Sequence, residues 1–403
     1  MYSYEHEIEE RTENTVRMNV GPSHPAMHGT LRVMMEVQGE RIVRAEQEIG
    51  FLHTGFEKLG EHRSYNQFIT LSDRLNYFSP LNNNIGFAIA AEELVGLEVP
   101  RRAQVIRTIM AELSRLADHS LCVGAMAMDL GAFTSILWTF VEREKLYDVF
   151  EAVTGTRLTT SYTRVGGVAF DLPDGFEKRV MTILDSMEET VEKLRGSFYK
   201  NRIFLDRTEG VGIITPAEIE SFGITGPIAR STGKTYDIRK YRPYLVYNEL
   251  EFDVPVYTQG DTLARYKVRL DEMDQSIRIV RQALRLLEPG PISALDQKHA
   301  LPDKMSTYTD MESLIHHFKM IMPGPDHGLN PPVTDLYSAT ESPNGELGFY
   351  LVSDGGSNPW RVRVRPPSFI NYPIFSKLLE GAMLADVVAI LGSFNIIAGE
   401  LDR

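Results

Sequence analysis

One segment limits the fold more than any other. Residues 101–131 contain no proline, and Val105, Ile106, Ile109, Met110, Leu113 and Leu116 recur there at steps of three and four. That spacing predicts a long helix with one buried stripe. A helix of this kind needs neighbours to cover its apolar face. The chain offers them at 57–71, 75–97, 134–153, 174–199 and 261–287, which carry apolar residues at the same period. Gly155 is placed to cap the 134–153 helix. The pattern predicts a bundle of four or more helices.

The flanks are different. Residues 1–14 look like a flexible acidic arm. Segments 15–20, 30–37 and 42–49 are strand-like, with a loop at 21–29 and a turn around Gly39. We expect a small antiparallel sheet over 15–50, the helical bundle over 51–200, and a mixed region over 201–403 that completes one fold. Within 201–403, one short helix is expected at 311–320. Residues 333–364 are strand-like, and the last thirty return to helix. The class is α+β, predominantly helical.

Composition removes several functions. Lys plus Arg is 42 against 55 Asp plus Glu, a net charge of −13, which argues against nucleic-acid binding. The single cysteine, Cys122, cannot make an internal disulfide, a Cys-rich zinc site or an iron–sulfur cluster of its own. No apolar run is long enough to span a bilayer; the best, 386–399, is short and polar. The acidic start has neither the basic, apolar build of a signal peptide nor that of a transit peptide. We expect a chain kept inside a cell that meets a membrane only at its surface or through partners.

Few residues suggest chemistry. The 21–29 loop, GPSHPAMHG, presents His24 and His28. Its prolines and glycines exclude the helical geometry in which this spacing marks a metal pair. The two histidines either serve a site or bond to loop backbone. Asp129 closes an apolar stretch, as a solvated helix-end acid or as the partner that orients an imidazole. Tyr77 is by itself no more than a core aromatic with a satisfied hydroxyl. His53, His62, His119, His316 and His317 are scattered and form no convincing ligand pair. No Walker loop, G-x-G-x-x-G or G-x-S-x-G is present.

Longer motifs say more. NVGPSHPAMHGTLR, IGFLHTGFEKLGEHR, DRLNYFSP, TRVGGVAFDLP, GELGFYLVSDGGSNPWRVRVRPPSF and a final GELDR follow one another in order. Together they resemble the D-subunit family of bacterial NADH–quinone oxidoreductase, respiratory complex I, from about residue 15 to Arg403. That family is itself similar to the large subunit of nickel–iron hydrogenases, so the resemblance implies a hydrogenase-like fold. Where hydrogenases hold metal with two Cys-x-x-Cys pairs, this chain has Asn76 and Ser79, and then Ile397 and Glu400. With all four thiolates missing, no metal is expected. The resemblance implies that the old metal pocket has become a quinone pocket.

The resemblance also assigns roles. His28 matches the histidine at the quinone head group, with His24 beside it in the pocket. Tyr77 matches the tyrosine on the other side, and Asp129 the acid paired with His28. Quinone is then a substrate, and no cofactor is bound by this chain. The electrons would come from an iron–sulfur cluster on the neighbouring B subunit. The C and I subunits and the membrane-embedded H and A subunits are the other implied partners, on the cytoplasmic side of a bacterial inner membrane. Thr54, Arg74 and Thr159 would face that terminal cluster. Many members carry arginine at the first position and histidine at the third, so this chain departs from the pattern twice. Fewer positive groups predict a lower cluster potential, suited to a low-potential quinone such as menaquinone. A related complex fed by ferredoxin or another donor, a hydrogenase, and a non-catalytic scaffold are the competing readings.

Overall fold

A computed structural model describes residues 9–12, 15–25, 27–296, 299–322, 324 and 327–403. Its centre is the helix Arg101–Asp129. Val105, Ile106, Ile109, Met110, Leu113 and Leu116 are all 0% exposed. Each such burial contributes about 1.5–3 kcal/mol. The helix Phe133–Thr154 turns back against it after a short connection and ends at Gly155, whose φ of 81° gives the expected left-handed cap. The two helices touch closely at Gly124, where a Cβ would lie 2.2 Å from Thr139 Oγ1. Phe176–Phe198 and Thr262–Arg285 join the same core. The bundle therefore draws on residues beyond 200. Asp261 starts the last of these helices by accepting from the Ala264 N–H at 2.7 Å.

A second core lies under the N-terminal sheet. Glu9–Thr12, Thr15–Val20, Arg32–Gln38 and Arg41–Glu48 pair antiparallel in sequence order. The expectation of a free arm up to residue 14 is corrected at Glu9–Thr12, whose backbone takes ladder partners from Thr15–Val20. The rest of that arm lies outside the described residues. Val33, Met35 and Val37 alternate inward, and the helices Ile374–Leu379 and Asp386–Phe394 cover them. A third core sits beneath the strands Thr334–Ser342, Gly345–Ser353 and Arg361–Arg365.

Two helical expectations change. Segment 57–71 breaks into Phe56–Glu61 and Tyr65–Ser72, because Ser64 and Gln67 form a reciprocal capping box that starts a new helix. The helix expected from residue 75 begins at Pro80. Residues before it stay in turns, one held by the Asn76 side-chain oxygen accepting from the Phe78 N–H at 3.1 Å. Tyr77 thus sits on a turn and not on a helix. No helix of the described residues is long and apolar enough to cross a membrane.

A buried charge network ties the bundle to later segments. Glu112 accepts from Arg239 at 3.0 Å, Tyr247 at 2.6 Å, Ser276 at 2.7 Å and Arg115 at 3.3 Å. Arg230 reaches Glu272 at 2.7 Å and Glu341 at 2.8 Å. His119 Nε2 meets the other Glu272 oxygen at 2.9 Å, and burial holds that imidazole below its ordinary range. Every member is below 2% exposed.

Candidate functional site

Asp129 is the last residue of the long helix, and His28 lies near the end of the loop that joins the strands Thr15–Val20 and Arg32–Gln38. The fold brings them together, His28 Nε2 lying 2.6 Å from Asp129 Oδ2. The acid is 11% exposed and the imidazole 31%, so the pair is shielded from water on one side and reachable on the other. This contact is the arrangement that the imidazole-partner reading of Asp129 calls for.

His28 also borders a cavity of about 170 Å³. Tyr77 and Phe78 form part of its wall, Leu121, Cys122 and Ala125 of the long helix another, and Asn395–Ile397 a third. The walls are mainly apolar, and the imidazole, the phenol and the Asn395 amide are the polar groups among them. Tyr77 is half-buried and meets Phe78 edge-on at 4.6 Å. Burial, then the Glu400 and Asp118 carboxylates, push its phenol above the usual range. Burial pushes the Cys122 thiol up to about 11, so it is an inert wall.

The other sequence candidates are placed differently. His24 is half-buried in the same loop but is not among the residues lining the cavity. Thr54 and Arg74 are exposed and Thr159 is half-buried. Asp73, next to Arg74, accepts from the Ser161 N–H at 3.1 Å and hydroxyl at 2.5 Å. That clamp holds the Thr159 segment beside the Arg74 turn. The loop bearing Thr54 is fixed by Asp402, which accepts from Gly50 at 2.8 Å and Leu52 at 2.6 Å.

Residues 129–403 match the family model described as respiratory-chain NADH dehydrogenase, 49 Kd subunit. The chain is 46% identical to the D subunit of NADH-quinone oxidoreductase from Geotalea uraniireducens, over 96% of this chain and 98% of the relative. The chain belongs to that family. The D 1 subunit of NADH-quinone oxidoreductase from Chloroherpeton thalassium is 45% identical, over 98% of this chain and 89% of its own length. The C/D subunit from Bdellovibrio bacteriovorus is 48% identical, over 96% of this chain and 68% of its own.

The four positions that the resemblance sets against hydrogenase cysteines lie in the interior. Asn76 and Ser79 are fully buried, as are Ile397 and Glu400. Asn76 Nδ2 bonds Asp118 at 3.1 Å, and Asn395 Nδ2 bonds the other Asp118 oxygen at 2.7 Å. Asn76, Asp118 and Asn395 form a hydrogen-bonded set there. Among the described residues, no group of three or more His, Cys, Asp or Glu side chains is placed to hold a metal. Sequence reasoning does not pick out Asp118, Cys122, Ala125 or Asn395. A signal exists for three of them. Asp118, Cys122, Ala125 and Asp129 recur at steps of four, three and four, which places them on one helix face.

Proposed function

We propose that this chain forms the quinone head-group pocket in the peripheral arm of a proton-translocating NADH–quinone oxidoreductase. The observation that carries the proposal is the gathering of the His28–Asp129 pair and Tyr77 around one apolar cavity. The relatives are named subunits of that enzyme, which makes NADH–quinone oxidoreduction the activity of the assembly this chain joins. At about 170 Å³ the cavity is smaller than the roughly 300–1,000 Å³ of complete ligand pockets. It suits a ring-sized head group whose tail leaves along a face that partners cover.

Reducing a quinone to a quinol takes two electrons and two protons. The electrons arrive from an iron–sulfur cluster on a neighbouring subunit. The protons come from groups that can donate to the ring oxygens, the Tyr77 phenol and the His28 imidazole. Asp129 orients the imidazole and supplies its counter-charge. Loss of that proton leaves an uncompensated carboxylate at the end of the long helix, a change of charge suited to triggering proton transport elsewhere.

Partners have a surface to meet. Phe133, Leu137 and Val141 are 61%, 53% and 57% exposed at steps of four on one helix, and Phe51, Leu52 and Leu158 are exposed as well. Such apolar patches mark contacts with other chains. The cluster-bearing B subunit, the C and I subunits and the membrane-embedded H and A subunits are the expected neighbours. The C/D relative, of whose length this chain covers 68%, supports contact with a C-type partner. On this reading the chain lies peripherally, on the cytoplasmic side of the bacterial inner membrane. A second reading, a homologous complex fed by ferredoxin, rests on the fact that these residues would serve the quinone end alone.

The test uses membranes carrying Tyr77→Phe. NADH oxidation is measured with a quinone and with ferricyanide, which takes electrons upstream. Loss of the quinone rate alone supports the proposal. Retention of both rates refutes it. A wild type without NADH activity points to the other donor.

A further inference from the structure

Glu400 follows Gly399, whose backbone packs against the Tyr77 segment. It lies in the helix Ala398–Asp402, which packs so tightly on the Tyr77 segment that only glycine fits at 399. A Cβ there would lie 2.5 Å from Arg74 O, 2.7 Å from Leu75 O and 3.4 Å from Tyr77 Cδ1. The Glu400 side chain is 0% exposed. Its Oε1 accepts from the Ser368 hydroxyl, from the Ser368 N–H at 3.2 Å and from Asn344 Nδ2 at 3.4 Å. Its Oε2 is buried without a hydrogen-bond partner.

The charges around it are few. Burial, with repulsion from Asp118, pushes the Glu400 carboxyl up to about 7 against the hydrogen bonds from Ser368 and Asn344. Asp118 is linked to it through amides, since Asn395 Nδ2 bonds both Asp118 Oδ1 and Asn344 Oδ1 at 2.7 Å. The helix Pro367–Asn371, packed on the same face, carries no charged residue. On Glu400's own helix, Asp402 turns to the Gly50 and Leu52 amides, and the following Arg403 turns to Glu57 at 3.2 Å. Among the described residues, the Asp118 carboxylate acts on Glu400, and Glu400 in turn acts on the Tyr77 phenol. An ionised Glu400 raises the Tyr77 phenol further and makes it a poorer acid.

We propose that Glu400 is a titrating positioning residue for quinone reduction that acts through Tyr77. Protonated, it leaves the phenol free to donate. Ionised, it holds the proton on the phenol. In the step itself the Tyr77 proton passes to the reduced quinone oxygen, the tyrosinate is reprotonated from water, and Glu400 keeps its own proton. This inference rests on the quinone-site reading above.

The experiment follows NADH–decylubiquinone activity in membranes against pH, with the ferricyanide rate and the amount of assembled complex as controls. The wild type should lose rate as pH rises through about neutrality. Glu400→Gln keeps the acceptor to Ser368 but cannot ionise, so it should hold its low-pH rate. One unit above the wild-type midpoint it should exceed the wild type by about tenfold, the ratio set by titration of a single group. Ser368→Ala removes a donor to the carboxylate and should move the midpoint to higher pH. An assembled Glu400→Gln enzyme with the wild-type profile overturns the inference. Should that variant not assemble, an unmoved midpoint in Ser368→Ala overturns it. Tyr77→Phe separates the two ideas. If it abolishes quinone reduction while Glu400→Gln changes nothing, the quinone site stands and the role of Glu400 falls.

Discussion

His28 and Asp129 meet at 2.6 Å although one belongs to a loop between two strands of the first sheet and the other to the end of the central helix. The contact fixes how the loop lies over the cavity. Replacing Asp129 by Asn keeps the size and removes the charge. We expect Asp129→Asn to lower the quinone rate by about tenfold or more, in keeping with a lost orienting carboxylate beside a proton donor. Proton pumping should fall with it while ferricyanide reduction persists. A variant with full rate and full pumping would remove Asp129 from the mechanism.

Tyr77→Phe removes only a hydroxyl from the wall of the cavity. A positioned proton donor is worth about 10²–10⁴-fold in rate. The quinone rate should fall by at least the lower figure, with little change in thermal inactivation because the ring still packs on Phe78. An equal loss of stability and activity would mark Tyr77 as structural.

The buried network carries a different expectation. Burial raises the Glu112 carboxyl, but Arg115 and Arg239, with Tyr247 and Ser276, outweigh it and hold the group at about 2. A carboxyl depressed on folding stabilises the native state above its unfolded value near 4.5, and that stability is lost as pH falls toward the folded value. Brief acid exposure should therefore leave quinone activity intact above about pH 4.5 and destroy it progressively toward about pH 2. Glu112→Gln leaves two buried arginines without their shared anion, at a cost of about 3–5 kcal/mol. Activity should then be lost at a clearly lower temperature, and unchanged thermal inactivation would refute the role given to the network.

The Asp73–Ser161 clamp holds the Thr159 segment beside the Arg74 turn, Thr54 is exposed on another loop, and on the proposed reading all three face the terminal cluster. With arginine and histidine absent there, the cluster should titrate at low potential with weak pH dependence. Thr159→His should raise both. An EPR redox titration decides, and a high, steeply pH-dependent wild-type potential would refute the assignment.

Much of the scaffold was legible because its signals are local. The three- and four-residue steps from Val105 to Leu116 gave the central helix, and Gly155 gave the end of the next. The break at Ser64 was also written locally, as Ser-x-x-Gln, but the apolar period ran across it and masked it. The turn at 73–79 was hidden in the same way by Leu75 and the apolar run after Pro80. The site was less legible. Spacing left Asp129 with two readings and Tyr77 with a bland one, and only the family motifs singled them out. Arg239 and Arg230 lie 127 and 42 residues from Glu112 and Glu272, and no periodicity announces a contact between distant charges.

The cavity takes its walls from a loop at residue 28, a turn at 77, the middle helix at 122 and the segment after 392. Contacts so distant in sequence bear the largest loop-closure cost and form late. The central helix can coil at once, yet the space for the ring exists only after the sheet, the bundle and the last helices have docked. An intermediate lacking any one of them has no pocket to fill. If the proposed quinone binds there, its occupancy reports that the whole chain has finished folding, and a ligand held there would slow its opening.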